Sequence, residues 1–201
     1  YGTFLNNTVA ITATEKDDVI EITRLPDGLT KVVIKRSLKD EEDEQIYTRT
    51  FSRKETKELL VYGLGDDDEF IVSGDGDKEI KVKLVGGYGK DSYSIENKNR
   101  LKVFDWEHEK TEFEKESPRQ SLTDLYKTNN YHFTYFKNNT HILAPNAGFR
   151  TDDGFFLGFK NTYVKQGLNG NPFRQKHSFL GNYYFGFTST ELNYEGVFAN
   201  V

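Results

Sequence analysis

Two segments rich in glycine and aspartate contain the residues best suited to metal chemistry. Residues 86–91 read GGYGKD, and residues 63–70 read GLGDDDEF. Glycine allows a tight turn that exposes backbone carbonyls, and aspartate adds a hard anionic oxygen of the kind that Ca²⁺ prefers. The two segments therefore predict a calcium site, with Asp67, Asp68 and Asp91 as the candidate metal ligands.

The segment that begins at residue 86 has a known counterpart. Residues 86–94 resemble the nonapeptide G-G-x-G-x-D-x-U-x of calcium-binding β-rolls, with the aromatic Tyr93 at position U. Residues 16–20, KDDVI, are a weaker match to the same pattern. In a β-roll such repeats are contiguous, whereas roughly twenty to forty residues separate the segments here. The alternative is that these aspartates and glycines only form turns that cap strands.

No residue pattern indicates catalysis. The four histidines show neither HExxH nor paired spacing, so each is expected to be a surface or turn residue. Neither glycine segment is followed by the GK[ST] of a phosphate-binding loop, and no nucleophile stands beside a base in the sequence. The sequence predicts no catalytic residues, no enzymatic activity and no cofactor other than Ca²⁺.

Composition restricts the class of protein. The chain has 201 residues, 35% of them hydrophobic, a mean hydropathy of −0.72 and no apolar run long enough for a membrane helix. It contains no cysteine, which excludes disulfides and thiolate metal sites. A net charge of −5 without a basic stripe argues against a nucleic-acid partner. The first residue is Tyr1 rather than Met, so we expect a processed or partial polypeptide.

The first half of the chain predicts a β-rich domain over residues 1–106. Nine short runs of β-branched or aromatic residues alternate with turn-forming sequences such as Pro26-Asp27-Gly28. Many short strands favour a roll, a sandwich or a solenoid over an α/β enzyme. Residues 107–140 are charged and rich in asparagine, and we expect a linker there with a short helix near residues 119–126.

From His141 onward, large apolar residues recur at every second position. The alternation runs through residues 155–163, 179–187 and 192–198, and period two is typical of a strand with one apolar face. Each run is about ten residues long, enough for a tilted strand to cross a bilayer. Residues 141–201 therefore predict about four strands of an incomplete transmembrane β-barrel. A soluble sheet alternates in the same way and is the competing interpretation. The candidate lipid-facing residues are Phe155, Phe159, Tyr163, Phe179, Tyr183 and Phe187.

Part of this region resembles the start of the barrel in the BamA/TamA-like surface-antigen proteins of Gram-negative outer membranes. The likeness rests on residues 146–158, NAGFRTDDGFFLG, then Gly167, Pro172-Phe173 and His177. The family pattern begins G-[FY]-N-P-D-D-G, and this chain departs from it at Arg150-Thr151. Residues 18–28, 47–51, 55–58, 62–70 and 86–91 are similar to the β-rich domain of large members, with Asp66 where the family has glycine.

The resemblance implies a location and a role. It implies the outer membrane of a Gram-negative bacterium, a periplasmic N-terminal part, and partners among membrane lipid and other outer-membrane assembly proteins. The role would be structural, or in assembly or transport of outer-membrane and surface proteins. Some relatives carry an upstream calcineurin-like phosphoesterase domain, whose metal motifs do not occur in this sequence. A hydrolase is therefore a third alternative only if such a metallophosphoesterase domain precedes the given chain. The alternative function is a soluble calcium-binding β-roll or an adhesive β-sandwich.

The expected fold class is therefore all-β. We expect an N-terminal β-rich roll or sandwich domain, followed by the first antiparallel strands of an outer-membrane β-barrel.

Overall fold

The structure, a computed structural model, describes residues 7–38, 42–135, 137–168 and 172–199. The other residues of the predicted β-rich domain, linker and C-terminal strands, namely 1–6, 39–41, 136, 169–171 and 200–201, lie outside the described residues. The chain divides into two compact units, Tyr1–His132 and Phe133–Val201.

The first unit is a parallel two-sheet solenoid. One sheet, sheet A, has the strand order β1-β5-β7-β9-β11, and the other, sheet B, has the order β10-β8-β6-β2-β3-β4. The chain passes from sheet A to sheet B in each coil, and equivalent strands of successive coils pair in parallel. The strands are β1 (Thr8–Thr12), β2 (Asp18–Leu25), β3 (Leu29–Arg36), β4 (Glu44–Ser52), β5 (Glu58–Gly65), β6 (Glu69–Ser73), β7 (Lys81–Tyr88), β8 (Ser92–Ile95), β9 (Leu101–Asp105), β10 (Glu112–Lys115) and β11 (Arg119–Leu122).

Strands β3 and β4 interrupt this coil pattern. They follow β2 as an antiparallel meander at the edge of sheet B. A short 3-10 turn, Pro26–Gly28, joins β2 to β3. This turn coincides with the Pro-Asp-Gly sequence expected to reverse the chain.

The core lies between sheets A and B, where equivalent side chains of successive coils stack. Phe70 and Tyr93 stack with ring centroids 4.9 Å apart, and Phe113 continues the stack at 5.1 Å from Tyr93. The rings meet because residues in register in a parallel pair point to the same face of the sheet. Burying each such side chain contributes about 1.5–3 kcal/mol, so the ring stack fixes the register of the coils.

The end of the first unit covers part of sheet A. Helix α1 (Tyr126–Asn129) is a single turn that follows β11. Beyond it, the Tyr131 ring packs edge-on against Tyr62, with centroids 5.5 Å apart. Strands β10 and β11 and helix α1 thus lie within the segment interpreted as a linker, and residues 119–122 form a strand where a short helix was expected.

The second unit is an antiparallel sheet, sheet C, with the strand order β12-β13-β14-β15. A second 3-10 turn, Phe133–Tyr135, precedes it. Its strands are β12 (Thr140–Arg150), β13 (Gly154–Lys165), β14 (Gln175–Tyr184) and β15 (Ser189–Phe198). Among the described residues, no helix is long and apolar enough to cross a membrane.

The expected fold class is wrong. The chain combines two largely parallel sheets, in place of the expected roll or sandwich, with one antiparallel sheet, so as a whole it is not an all-antiparallel β-barrel. The parallel pairing joins residues far apart in sequence, such as Glu58 and Lys81. Apolar periodicity reports which residues share a face of one strand, but it does not report which strands pair or in which direction.

Candidate functional site

The turn from sheet A to sheet B places an aspartate at the same level in three successive coils. Val19 pairs with Glu69, and Glu69 pairs with Ser92. The residues before them are Asp18, Asp68 and Asp91, which are 1%, 2% and 1% exposed. We call Asp18, Asp68 and Asp91, together with Asp105 in the next coil, the aspartate ladder.

Hydrogen bonds join the aspartates of the ladder from coil to coil. The backbone N–H of Asp18 donates to Asp68 Oδ1, and that of Asp68 donates to Asp91 Oδ1, both at 3.0 Å. Thr14 closes the first rung, donating to Asp18 Oδ2 from its backbone N–H at 2.6 Å and from its hydroxyl at 2.7 Å. The two bonds between aspartates each join neighbouring coils, so the ladder contributes to their stacking.

One oxygen of each stacked aspartate remains without a donor. Within the described residues, Asp18 Oδ1, Asp68 Oδ2, Asp91 Oδ2 and the Tyr93 hydroxyl are buried and have no hydrogen-bond partner. A buried polar atom without a partner costs about 1–3 kcal/mol. The ladder therefore has several oxygens that a ligand or a proton would stabilise.

Glycines provide the space into which these oxygens point. A Cβ atom added at Gly63 would lie 2.1 Å from Asp68 Oδ2 and 2.7 Å from the carbonyl oxygen of Gly86. A Cβ atom added at Gly86 would lie 2.0 Å from Asp91 Oδ2 and 2.5 Å from both Asp105 Oδ1 and the Tyr93 hydroxyl. Oxygens from two neighbouring coils thus converge beside each glycine.

Asp105 occupies the position in its coil that Gly63 and Gly86 occupy in the two preceding coils. In the stacked register it follows Gly63 and Gly86, because Phe104 pairs with Val85 and Val85 pairs with Tyr62. Its Oδ1 accepts a bond from the backbone N–H of Trp106, and its Oδ2 accepts one from the Thr111 hydroxyl, both at 2.9 Å. The side chain therefore points back into the coil toward Asp91.

The electrostatics of the ladder disfavour ionised carboxylates. Burial, reinforced by the charge of Asp91, raises the pKa of Asp68 to about 9. Burial, reinforced by Asp105, raises the pKa of Asp91 to about 8. Burial also raises the pKa of Asp105, and burial with the neighbouring carboxylates raises the pKa of Tyr93. The ladder therefore favours any bound species that brings positive charge.

The three predicted calcium ligands do not all point the same way. Asp68 and Asp91 meet inside the coil, whereas Asp67 is exposed and its Oδ1 accepts a bond from the Lys90 N–H at 2.8 Å. The Asp67 N–H in turn donates to Asp17 Oδ1 at 3.2 Å. Asp67 thus belongs to a second, outer series of contacts.

Sequence reasoning missed two members of the ladder. Asp18 lies in residues 16–20, which match the β-roll pattern weakly, but it was not proposed as a ligand. Asp105 has no glycine segment around it, so no local pattern distinguished it. The intervals of 50 and 23 residues between Asp18, Asp68 and Asp91 were visible, but they become meaningful only once the coils are known to stack.

A second group of possible metal ligands lies at the surface. Glu107, His108 and Asp124 each bring one ligand atom within 4.8 Å of the others, and all three residues are exposed. Their positions in the sequence show no metal-binding motif. Exposed groups of this kind are common without a metal, and no further contact here indicates one.

Sheet C separates its side chains into two contrasting faces. One face, the apolar face, carries no aspartate or glutamate among the described residues of its strands. Phe149 and Leu192 on this face are 73% and 70% exposed. By register and alternation, the large residues of the apolar face are Leu143, Phe149, Phe155, Leu157, Phe159, Tyr163, Phe179, Tyr183, Leu192, Tyr194 and Phe198.

The opposite face, the polar face, holds a hydrogen-bond network. Asn146 donates to Asn182 at 2.8 Å, and Asn182 donates to Glu191 at 3.0 Å. The Tyr184 hydroxyl also donates to Glu191, at 2.5 Å, and Arg150 lies 3.7 Å from the same carboxylate. Five of the six predicted lipid-facing residues share the apolar face; the sixth, Phe187, lies in the turn between β14 and β15.

Comparison with known proteins finds no matching family, no matching curated protein and no matching solved structure. The resemblance to the BamA/TamA-like proteins therefore stays a prediction.

Proposed function

We propose that this chain is part of an outer-membrane protein of a Gram-negative bacterium, of the BamA/TamA-like kind. The apolar face of sheet C lies against lipid, and the solenoid unit is periplasmic. The protein's role is structural, or it assists assembly or transport of other outer-membrane and surface proteins. The observation that carries the proposal is the contrast between the apolar face and the networked polar face.

Several properties of the apolar face support lipid as its partner. Its exposed large side chains form one continuous surface across all four strands, far more than a soluble monomer usually leaves in water. The strands have 10 to 12 residues, which is close to the span of a tilted strand in a bilayer. Aromatic residues occur toward both ends of the strands, for example Phe155 and Tyr163 on β13, as at membrane interfaces.

The proposal places a requirement on the edges of sheet C. Strands β12 and β15 each pair on one side only among the described strands. In hydrocarbon, an unpaired backbone N–H or C=O costs several kcal/mol. The proposal therefore requires further strands against β12 and β15, from the same polypeptide or from a partner.

A pair of matched substitutions tests the proposal in the protein as expressed in a Gram-negative cell. Phe159→Arg places a charge on the apolar face, where it should cost about 2–4 kcal/mol near the middle of the bilayer. Thr162→Arg places the same charge on the polar face of the same strand and serves as the control. We expect the unmodified protein and Thr162→Arg in the outer-membrane fraction after a carbonate wash, and strongly reduced recovery of Phe159→Arg there.

Two results would contradict lipid binding. One is recovery of the unmodified protein in the soluble fraction, which would mean that other protein surface covers the apolar face, as in a sandwich. The other is equal membrane recovery of Phe159→Arg and Thr162→Arg.

A further inference from the structure

Within the described part of the chain, the hydrogen bonds and ion pairs seen at the carboxylates of the aspartate ladder include no lysine or arginine side chain. The two lysines closest to the ladder in sequence point away from the coil interior. Lys16 lies 3.7 Å from Asp66, and Lys90 lies 3.4 Å from Glu112, and all four side chains are about half exposed or more. Among the described residues, the donors to the ladder carboxylates are neutral groups, and they include backbone N–H groups and the hydroxyls of Thr14 and Thr111.

The donor set has the chemistry of a hard cation site. Beside Gly86 the converging atoms are oxygens of Asp91, Asp105 and Tyr93, and beside Gly63 they are oxygens of Asp68 and the Gly86 backbone. Sulfur and imidazole ligands do not contribute. Oxygen-only sets suit Ca²⁺ and Mg²⁺, and irregular sets built from carboxylates and backbone carbonyls suit Ca²⁺, because Mg²⁺ demands near-ideal octahedral geometry.

We propose that the interior of the solenoid binds Ca²⁺ along the aspartate ladder, with Asp68, Asp91 and Asp105 as the ligand carboxylates. Asp67 takes no part, because its carboxylate faces solvent and accepts the Lys90 N–H. The ligands come from three successive coils, and the oxygens beside each glycine come from two neighbouring coils, so a bound ion joins one coil to the next. Calcium thereby couples to folding of the first unit, whether or not sheet C contacts lipid.

Binding linked to folding has a measurable consequence. A ligand that binds the folded state alone raises its stability with concentration. With free Ca²⁺ at about 100 times its dissociation constant, the thermal midpoint of the first unit should rise by on the order of 10 °C relative to chelator. Trp106 reports this transition, because it is the only tryptophan and its backbone N–H donates to Asp105.

The test is thermal unfolding of the purified full chain, followed by Trp106 fluorescence in excess EDTA and in increasing Ca²⁺. Asp91→Asn retains an oxygen that can accept the Asp68 N–H but loses the charge, so the Ca²⁺-dependent shift should disappear. Asp67→Asn removes a charge outside the ladder, in the turn that carries Asp68, and it should keep the full shift. Replacing Ca²⁺ with the same concentration of Mg²⁺ should give a much smaller shift.

A direct binding measurement covers the case in which Asp91→Asn does not fold. Tb³⁺ replaces Ca²⁺ at oxygen sites, and its luminescence should be sensitised by Tyr93 and Trp106 in the unmodified protein and quenched by competing Ca²⁺. The proposal is overturned if the unmodified protein shows neither a Ca²⁺-dependent shift nor Ca²⁺-competed Tb³⁺ luminescence. In that case protons neutralise the ladder. Loss of the shift in Asp67→Asn with its retention in Asp91→Asn would equally overturn the ligand assignment.

Discussion

At the scale of single residues, the glycines beside the ladder are required for space rather than for backbone angle. Neither Gly63 nor Gly86 has a positive φ. What excludes a side chain is the inward carboxylate of the aspartate five residues later, which contacts the glycine directly. Each glycine and its aspartate therefore act as a pair.

Gly63→Ala tests this pairing. The added methyl would collide with Asp68 Oδ2 and with the backbone oxygen of Gly86, neither of which can move freely. We expect the free energy of unfolding to fall by about 1–3 kcal/mol, measured by chemical denaturation with Trp106 fluorescence. Gly65→Ala is the control, because its methyl would meet mainly the mobile end of Glu15 at 2.9 Å, and a change within about 0.5 kcal/mol is expected. Equal losses in the two variants would contradict the pairing.

At the scale of elements, ion pairs across the parallel strands help to set their register. Glu58 at the start of β5 contacts Lys81 at 3.1 Å and Lys83 at 2.5 Å, both on β7. Burial alone would raise the pKa of Glu58, but Lys83 and then Lys81 outweigh it and hold that pKa below its ordinary value. Ionised Glu58 therefore stabilises the pairing of β5 with β7.

Glu58→Gln should show this stabilisation through its pH dependence. A carboxyl group whose pKa is lowered on folding stabilises the protein above its unfolded pKa, and the effect is lost as pH falls through the folded pKa. We expect the variant to be less stable than the unmodified chain by about 1–2 kcal/mol at pH 7, with a difference that shrinks below about pH 4. Denaturation at both pH values measures it. Glu114→Gln, exposed on β10, is the control, and a pH-independent deficit in Glu58→Gln would contradict the ionic explanation.

At the scale of the whole molecule, the two proposals concern different compact units. The aspartate ladder belongs to the unit that ends at His132, and the apolar face belongs to the unit that begins at Phe133. Substitutions at distant, independent sites usually have additive effects. Each proposal can therefore fail without the other.

A crossed experiment measures this separation. Phe159→Arg should lose membrane recovery while the Ca²⁺-dependent transition of Trp106 stays unchanged, and Asp91→Asn should show the reverse pattern. Fractionation and Trp106 fluorescence on the same two variants provide both readouts. Loss of both properties in either variant would show that the two units depend on each other.

Much of the local structure was predictable from the sequence. The nine short runs expected within residues 1–106 correspond to β1–β9. They were predictable because period-two alternation and β-branched residues favour a strand locally, whatever its partner. Likewise, Phe155, Phe159 and Tyr163 share a face with Phe179 and Tyr183, because side chains alternate along any strand whatever its partner. The aspartates of the two glycine-aspartate segments lie between strands as expected, but Gly63, Gly86 and Gly87 lie within β5 and β7 rather than in turns. The function of these segments stays a proposal.

The tertiary structure decided how these pieces combine. Parallel pairing of β6 with β8 brings Asp68 to Asp91 and leaves Asp67 outside. Pairing of β2 with β6 adds Asp18, and pairing of β7 with β9 adds Asp105. Such contacts depend on register between coils tens of residues apart, which arises from the packing of rings such as Phe70 on Tyr93. The sequence by itself determined which residues are strand, turn, apolar or acidic. Only the folded chain determined which of them meet, because burial and pairing are properties of the whole core.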